Sequence, residues 1–107
     1  MQLHPAIETY FDADRREAVD DLTAVFATDA KVTDEGRTYA GREAIGAWWS
    51  ETKALYRTTL TPLDAAPAGA TTVVRATVSG AFPGSPVVLS FAFRLEDGLI
   101  HALEITA

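Results

Sequence analysis

Cysteine is absent from this 107-residue chain, and with it every disulfide and every thiol mechanism. Histidine occurs only as His4 and His101, too far apart to give a recognisable ligand spacing, so a metal site is not expected. Positive charge is scarce: 9 basic residues stand against 15 acidic ones, for a formal charge of -6, and no Lys/Arg run occurs. That balance argues against nucleic acid or an anionic membrane as partner. No apolar run approaches the ~20 residues that cross a bilayer, and residues 1–5 lack the basic-then-apolar pattern of a leader, so a cytoplasmic location is expected. A Gly-rich phosphate loop and a nucleophile elbow are also missing, since Ser79-Gly80 and Gly84-Ser85 read as turns.

What the chain does have is a 48% hydrophobic composition, enough for one domain over residues 1–107 with one core and one pocket or interface. Helical spacing fills the first half and strand-like alternation the second, the order of an α+β domain. After Pro5, Ile7, Tyr10, Phe11 and Ala13 form an apolar stripe, while Glu8, Asp12 and Arg15 face elsewhere. Val19, Leu22, Val25 and Phe26 repeat that spacing in a second helix expected to end near Thr28-Asp29. Asp12, Asp14, Asp20 and Asp21 read as a solvated helix surface. Residues 30–39 read as two short strands turning at Glu35-Gly36, and Gly41 opens a third helix. Its inner side carries Ala44, Ile45, Trp48, Trp49, Thr52 and Leu55, with Arg42, Glu43, Glu51 and Lys53 outside.

Strands are expected at about 57–65, 71–80, 86–95 and 99–106, with connections short enough to force antiparallel pairing. In the last hairpin Leu89, Phe91, Phe93 and Leu95 share one face, and Leu99, His101, Leu103 and Ile105 share one on the next strand. The bulky face of a curved sheet would then wrap the three helices. The face of smaller side chains is left for solvent or a second subunit.

Asp34 is the residue of greatest chemical interest. Alternation along 30–34 puts it on the side of Ala30 and Val32, and a carboxylate aimed at an apolar interior must be hydrogen-bonded, paired or functional. It either caps the Glu35-Gly36 turn or faces a pocket. Tyr10, on the inner stripe of the first helix, is either core or pocket lining. His101 alternates with leucines and either shuttles protons or is a satisfied structural residue. Trp48 and Trp49 belong to the core or stack on a flat ligand.

The segments 22–34 (LTAVFATDAKVTD) and 39–45 (YAGREAI) carry a resemblance. With their helix-helix-strand-strand-helix-meander order, they resemble the nuclear-transport-factor-2-like superfamily, in its branch of ketosteroid isomerases and SnoaL-like polyketide cyclases. The resemblance implies a cone-shaped α+β barrel, three N-terminal helices packed in a curved antiparallel sheet, with an apolar pocket, no required metal or organic cofactor, and a homodimer formed through the outer sheet face. Asp34 falls where those isomerases carry the proton-moving carboxylate, and Tyr10 where they carry the tyrosine that binds the substrate oxygen. Cyclase-like relatives combine such an acid with a histidine, for which His101 is the candidate. The second oxygen-binding acid would fall near Phe91, which can donate nothing, and Trp49 stands where a supporting tyrosine is common. Phe26, Val32, Trp48, Trp49, Phe91, Phe93 and Leu103 are the expected pocket wall.

The expected activity is therefore proton transfer at a carbon next to a carbonyl, with Asp34 as base and Tyr10 as donor, on a hydrophobic small molecule. With half of the oxygen-binding pair missing, the more acidic methylenes of a polyketide suit the site better than a steroid does. A binding protein for an apolar ligand and a dimerisation module are the alternatives, and epoxide hydrolysis would need more polar pocket residues than the sequence offers.

Overall fold

The computed structural model describes residues 2–107, and its element order follows from where apolar stripes can be buried. Helix α1 (Pro5–Arg16) starts with Pro5 in its first turn and the His4 imidazole Nδ1 accepting the Ala6 N–H at 3.0 Å. It ends at Glu17, in the left-handed conformation. Ile7, Tyr10, Phe11, Ala13 and Asp14 all lie on its buried side. Helix α2 (Val19–Ala24) is six residues long and fully buries only Leu22.

That helix is shorter than its sequence spacing suggested. Phe26 has left it and begins strand β1 (Phe26–Asp34), and the Ile100 N–H donates to the Val25 carbonyl at 2.8 Å. A six-residue helix gains little from its own hydrogen bonds, so pairing with the sheet takes Phe26 and buries it completely. Glu35 and Gly36, both at positive φ, turn β1 into β2 (Arg37–Ala40), as a tight hairpin of this type requires.

Helix α3 (Arg42–Tyr56) buries Ile45, Trp48 and Trp49 as expected. Two of its residues depart from expectation. Leu55 is 67% exposed, whereas Lys53 turns inward. Strands β3 (Thr59–Ala68), β4 (Thr71–Ser79), β5 (Val87–Glu96) and β6 (Leu99–Thr106) form an antiparallel meander. Strand β3 runs through Pro67, which the sequence placed in a connection; a proline lacking its N–H is accommodated there because β3 is an edge strand.

The six strands lie in the order β2-β1-β6-β5-β4-β3, with β1 and β6 parallel. This mixed α+β sheet is curved but not closed, since β2 and β3 are not paired to each other. Its inner face, carrying Val74, Val78, Phe91, Phe93, Ile100 and Leu103, packs against the helices. Tyr10 meets Phe93 edge-on at 5.4 Å between ring centres and Phe26 at 6.0 Å.

A register shift between β5 and β6 changes one expected face. Leu95 pairs with Ile100 and Arg94 with Ala102, so His101 is the extra residue of a bulge. Ile100 takes the inner position and is completely buried. His101 instead lies beside Glu96, its Nδ1 3.8 Å from the carboxylate, on the face away from the helices.

Candidate active site

A cavity of about 380 Å³ opens between α1, α3 and the inner face of the sheet, closed on one side by Phe82 and Pro83. That volume lies in the ~300–1,000 Å³ range of small-molecule sites. Its apolar wall comes chiefly from Trp48, Trp49, Leu60, Leu89, Phe91 and Ile105. Tyr10, Asp14, Asp34, Glu35 and Lys53 supply its ionisable groups.

Asp34 is the last residue of β1, so the strand fixes its backbone just before the Glu35-Gly36 turn, and the half-buried residue lines the cavity. Its Oδ2 accepts the indole N–H of Trp48 at 3.1 Å. Burial pushes the Asp34 carboxyl above the ordinary aspartate value; the Trp48 hydrogen bond opposes that, the nearby Glu35 carboxylate adds to it, and a hydrogen bond from the Glu35 backbone opposes it again. Trp48 is held in turn against Tyr39, with ring centres 6.1 Å apart. Turn capping and cavity facing are thus both features of Asp34.

Tyr10 is 1% exposed, yet it lines the cavity. Its hydroxyl bonds to no other described residue, and among the described residues no buried side-chain oxygen or nitrogen is left without a partner. The oxygen must therefore touch the cavity. Burial first, then the Asp14 and Asp34 carboxylates, raise the Tyr10 phenol well above its usual value. At neutral pH it is a hydrogen-bond donor rather than a phenolate.

A second polar group, not foreseen in the sequence, stands beside this one. Asp14, expected on the solvated surface, is 3% exposed. Its Oδ1 accepts the Trp49 indole N–H at 2.8 Å, and its Oδ2 accepts from Lys53 Nζ at 3.0 Å. Lys53 also donates to the Thr58 carbonyl, and its ammonium lies 5.8 Å from the centre of the Trp49 ring. Burial raises the Asp14 carboxyl above its ordinary value, while the hydrogen bonds from Trp49 and Lys53 and the charge of Lys53 oppose the rise. The sequence did carry the signal. Asp14 follows Ile7, Tyr10 and Phe11 at helical spacing, and Lys53 follows Trp49 by four residues.

The structure thus brings Tyr10, Asp34, Trp48, Trp49 and Phe91 to one cavity. Phe26, Val32, Phe93 and Leu103 are not in its lining; they are core residues behind it, each at most 1% exposed. His101 is outside it too, moved to the other face by the β-bulge. Among the described residues no three His, Asp or Glu side chains come together as ligands for a metal.

Comparison with known proteins places this geometry in a family. A candidate polyketide cyclase from Sinorhizobium meliloti superimposes with a TM-score of 0.94 at 43% identity, over 97% of this chain and 95% of that one. A Catenulispora acidiphila protein with a ketosteroid isomerase-like fold, solved with trimethylamine, gives a TM-score of 0.85 at 22% identity over 99% of this chain and 87% of that one. A Mycobacterium tuberculosis protein solved with estradiol-17beta-hemisuccinate gives 0.79 at 20% identity, over 94% of this chain and 88% of that one. No functionally curated protein matches. The profile of the SnoaL-like domain matches residues 7–103, and the chain belongs to that family.

Proposed function

We propose that the chain is a cofactor-free enzyme of the ketosteroid isomerase and polyketide cyclase type, acting on a hydrophobic carbonyl compound held in a cone-shaped cavity. The observation that carries this reading is the half-buried Asp34 carboxylate, oriented by Trp48, on a cavity that also receives the Tyr10 hydroxyl. Asp34 takes a proton from the carbon next to the carbonyl, and the electron pair moves to the carbonyl oxygen. Tyr10 donates a hydrogen bond to that oxygen. The protonated Asp34 then returns the proton to another carbon, giving an isomer; alternatively the enolate attacks a second carbonyl of the same molecule, closing a ring, and the resulting alkoxide takes the proton from Asp34. His101 has no part in this scheme.

The estradiol ester in the Mycobacterium tuberculosis protein supports a flat, apolar ligand class. Charge supports a neutral one, because Asp14, Asp34 and Glu35 line the cavity against the single ammonium of Lys53. Deuterium uptake from heavy water into the α-carbon of a steroid ketone tests the chemistry. Uptake abolished by Asp34→Asn, with the ketone still bound, is the expected result; uptake unchanged in that variant would remove Asp34 as base. Phe91, apolar where a second oxygen donor would help, favours a second reading as a binding protein, for which tight binding without any exchange is the signature.

A homodimer through the outer sheet face, around Thr33, Ala92, Arg94 and Ala102, completes the proposal. Sedimentation equilibrium of the wild type and of Ala92→Glu tests it. A wild-type monomer would refute it.

A further inference from the structure

The connection between β4 and β5, residues 80–86 (GAFPGSP), takes no part in the scheme above, yet Phe82 and Pro83 line the cavity. Of the described residues in that lining only two are exposed, Pro83 in this loop and Glu35 in the β1–β2 turn, so the cavity meets solvent beside them. The loop is pinned at its base. The Ala81 N–H donates to the carbonyl of Tyr56, the last residue of α3, at 2.6 Å, and the Gly80 N–H donates to Ser85 Oγ at 2.9 Å. Glycine is required at position 80, because a Cβ there would stand 2.5 Å from the Tyr56 carbonyl oxygen. Beyond this neck the partly buried Phe82 ring meets the Tyr56 ring edge-on, with centres 6.0 Å apart, and Tyr56 lines the cavity as well. Backbone and side chain are therefore held differently. Two hydrogen bonds and a close approach fix the backbone, whereas the ring's one aromatic partner among the described residues is the partly exposed Tyr56, a weak contact. Side-chain rotamers near the surface also change faster than loops move.

We propose that Phe82 is the gate residue of the cavity: its ring closes the opening by packing on Tyr56 and swings off it to admit a neutral apolar ligand, while the loop backbone stays in place. This rests on the reading of the cavity as the ligand site, and not on the chemistry at Asp34. Neutral ligands are favoured at this door because Glu35, the other exposed residue of the rim, is an acid. Phe82 thus sets how fast a ligand enters and leaves rather than how tightly it is held.

Two probes test the gate without the natural ligand. Trp48 and Trp49 are the chain's two tryptophans, both line the cavity, and they are 6% and 7% exposed, so acrylamide quenching of their fluorescence reports access. Quenching should rise about three- to tenfold in Phe82→Ala, and by a similar factor in Tyr56→Leu, which keeps the plug but removes its latch. Combining the two changes should add nothing further. In stopped-flow binding of a naphthyl ketone, association and dissociation should both speed up by that factor in Phe82→Ala, leaving the affinity nearly unchanged. A residue that merely touches the ligand would speed dissociation alone. Circular dichroism melts check that each variant is folded, and Phe82→Leu, which also lacks the aromatic edge, replaces Phe82→Ala should that variant fail to fold. Quenching unchanged in Phe82→Ala, quenching raised there but not in Tyr56→Leu, or faster dissociation with unaltered association overturns the gate. If the ketone does not bind, the quenching measurements decide alone. The Asp34→Asn exchange experiment judges the other reading independently: gated access without exchange chemistry would sink the enzyme proposal and leave Phe82 in place, and exchange with ungated access would do the reverse.

Discussion

Asp34 accepts the indole of Trp48 at 3.1 Å and Asp14 accepts the indole of Trp49 at 2.8 Å, so consecutive residues of α3 serve two aspartates on one cavity. In both, burial raises the carboxyl above its ordinary value. They differ in depth and in company. Asp14 is buried with the Lys53 ammonium against it, whereas Asp34 is half-buried with no cation in ion-pair contact among the described residues. A buried carboxylate with both oxygens bonded and a counter-ion beside it is a poor base. One half-buried in the cavity wall, held by two neutral donors and with its proton affinity raised, is suited to taking a proton from carbon. On the proposed reading, an aspartate–tryptophan pair serves as scaffold where a cation stands next to it and as reagent where none does.

The largest effect should come from removing the reagent. Asp34→Asn should lower α-proton exchange by roughly 100- to 10,000-fold while leaving the melting temperature unchanged or slightly raised, because a raised carboxyl pKa means that burial opposes its charge. A calorimetric scan beside the exchange assay separates the two effects. The scaffold should show the reverse pattern. Lys53→Met leaves the Asp14 carboxylate buried alone and should destabilise the fold by about 3–5 kcal/mol in denaturant titrations near neutral pH, whereas the paired change Asp14→Asn/Lys53→Met should recover most of that loss.

The pH dependence of that defect sharpens the contrast. Asp14 is already raised in the wild type, and losing Lys53 removes influences that hold it down. An acid with a folded pKa above its unfolded one favours the protonated fold, so its contribution to stability is present in acid and is lost as pH rises through the folded value. The Lys53→Met penalty should therefore shrink as pH falls from about 7 towards 5, which chemical denaturation at each pH would show. A penalty independent of pH would mean that lost packing dominates.

Smaller changes should follow at the two indoles. Trp48→Phe removes the hydrogen bond that lowers the Asp34 carboxyl, so the acid limb of the exchange profile, where activity falls as Asp34 gains its proton, should move to higher pH. The same substitution at Trp49 should leave that limb in place. Equal shifts from both variants would erase the proposed division of labour.

Much of this arrangement was legible before folding was considered. The strand placing Asp34 beside Val32, the stripe carrying Tyr10, the Glu35-Gly36 turn and the four-strand meander all follow from local periodicity and turn chemistry. The misplaced elements share one cause, competition from distant parts of the chain. Phe26 fits a helix by spacing but pairs with β6, and His101 fits the inner face by alternation until one bulge residue shifts the register. Leu55 matches the α3 stripe but is exposed.

The sequence by itself determined the α+β order, the apolar faces and the presence of an acid and a tyrosine on them, because these depend on residue spacing along a helix or a strand. Only the tertiary structure decided which acid is paired and which stands alone. Asp14 and Lys53 are 39 residues apart and meet because α1 and α3 lie against the same cavity. The burial that raises both carboxyls, and the counter-ion that only one receives, are properties of that packing rather than of either residue.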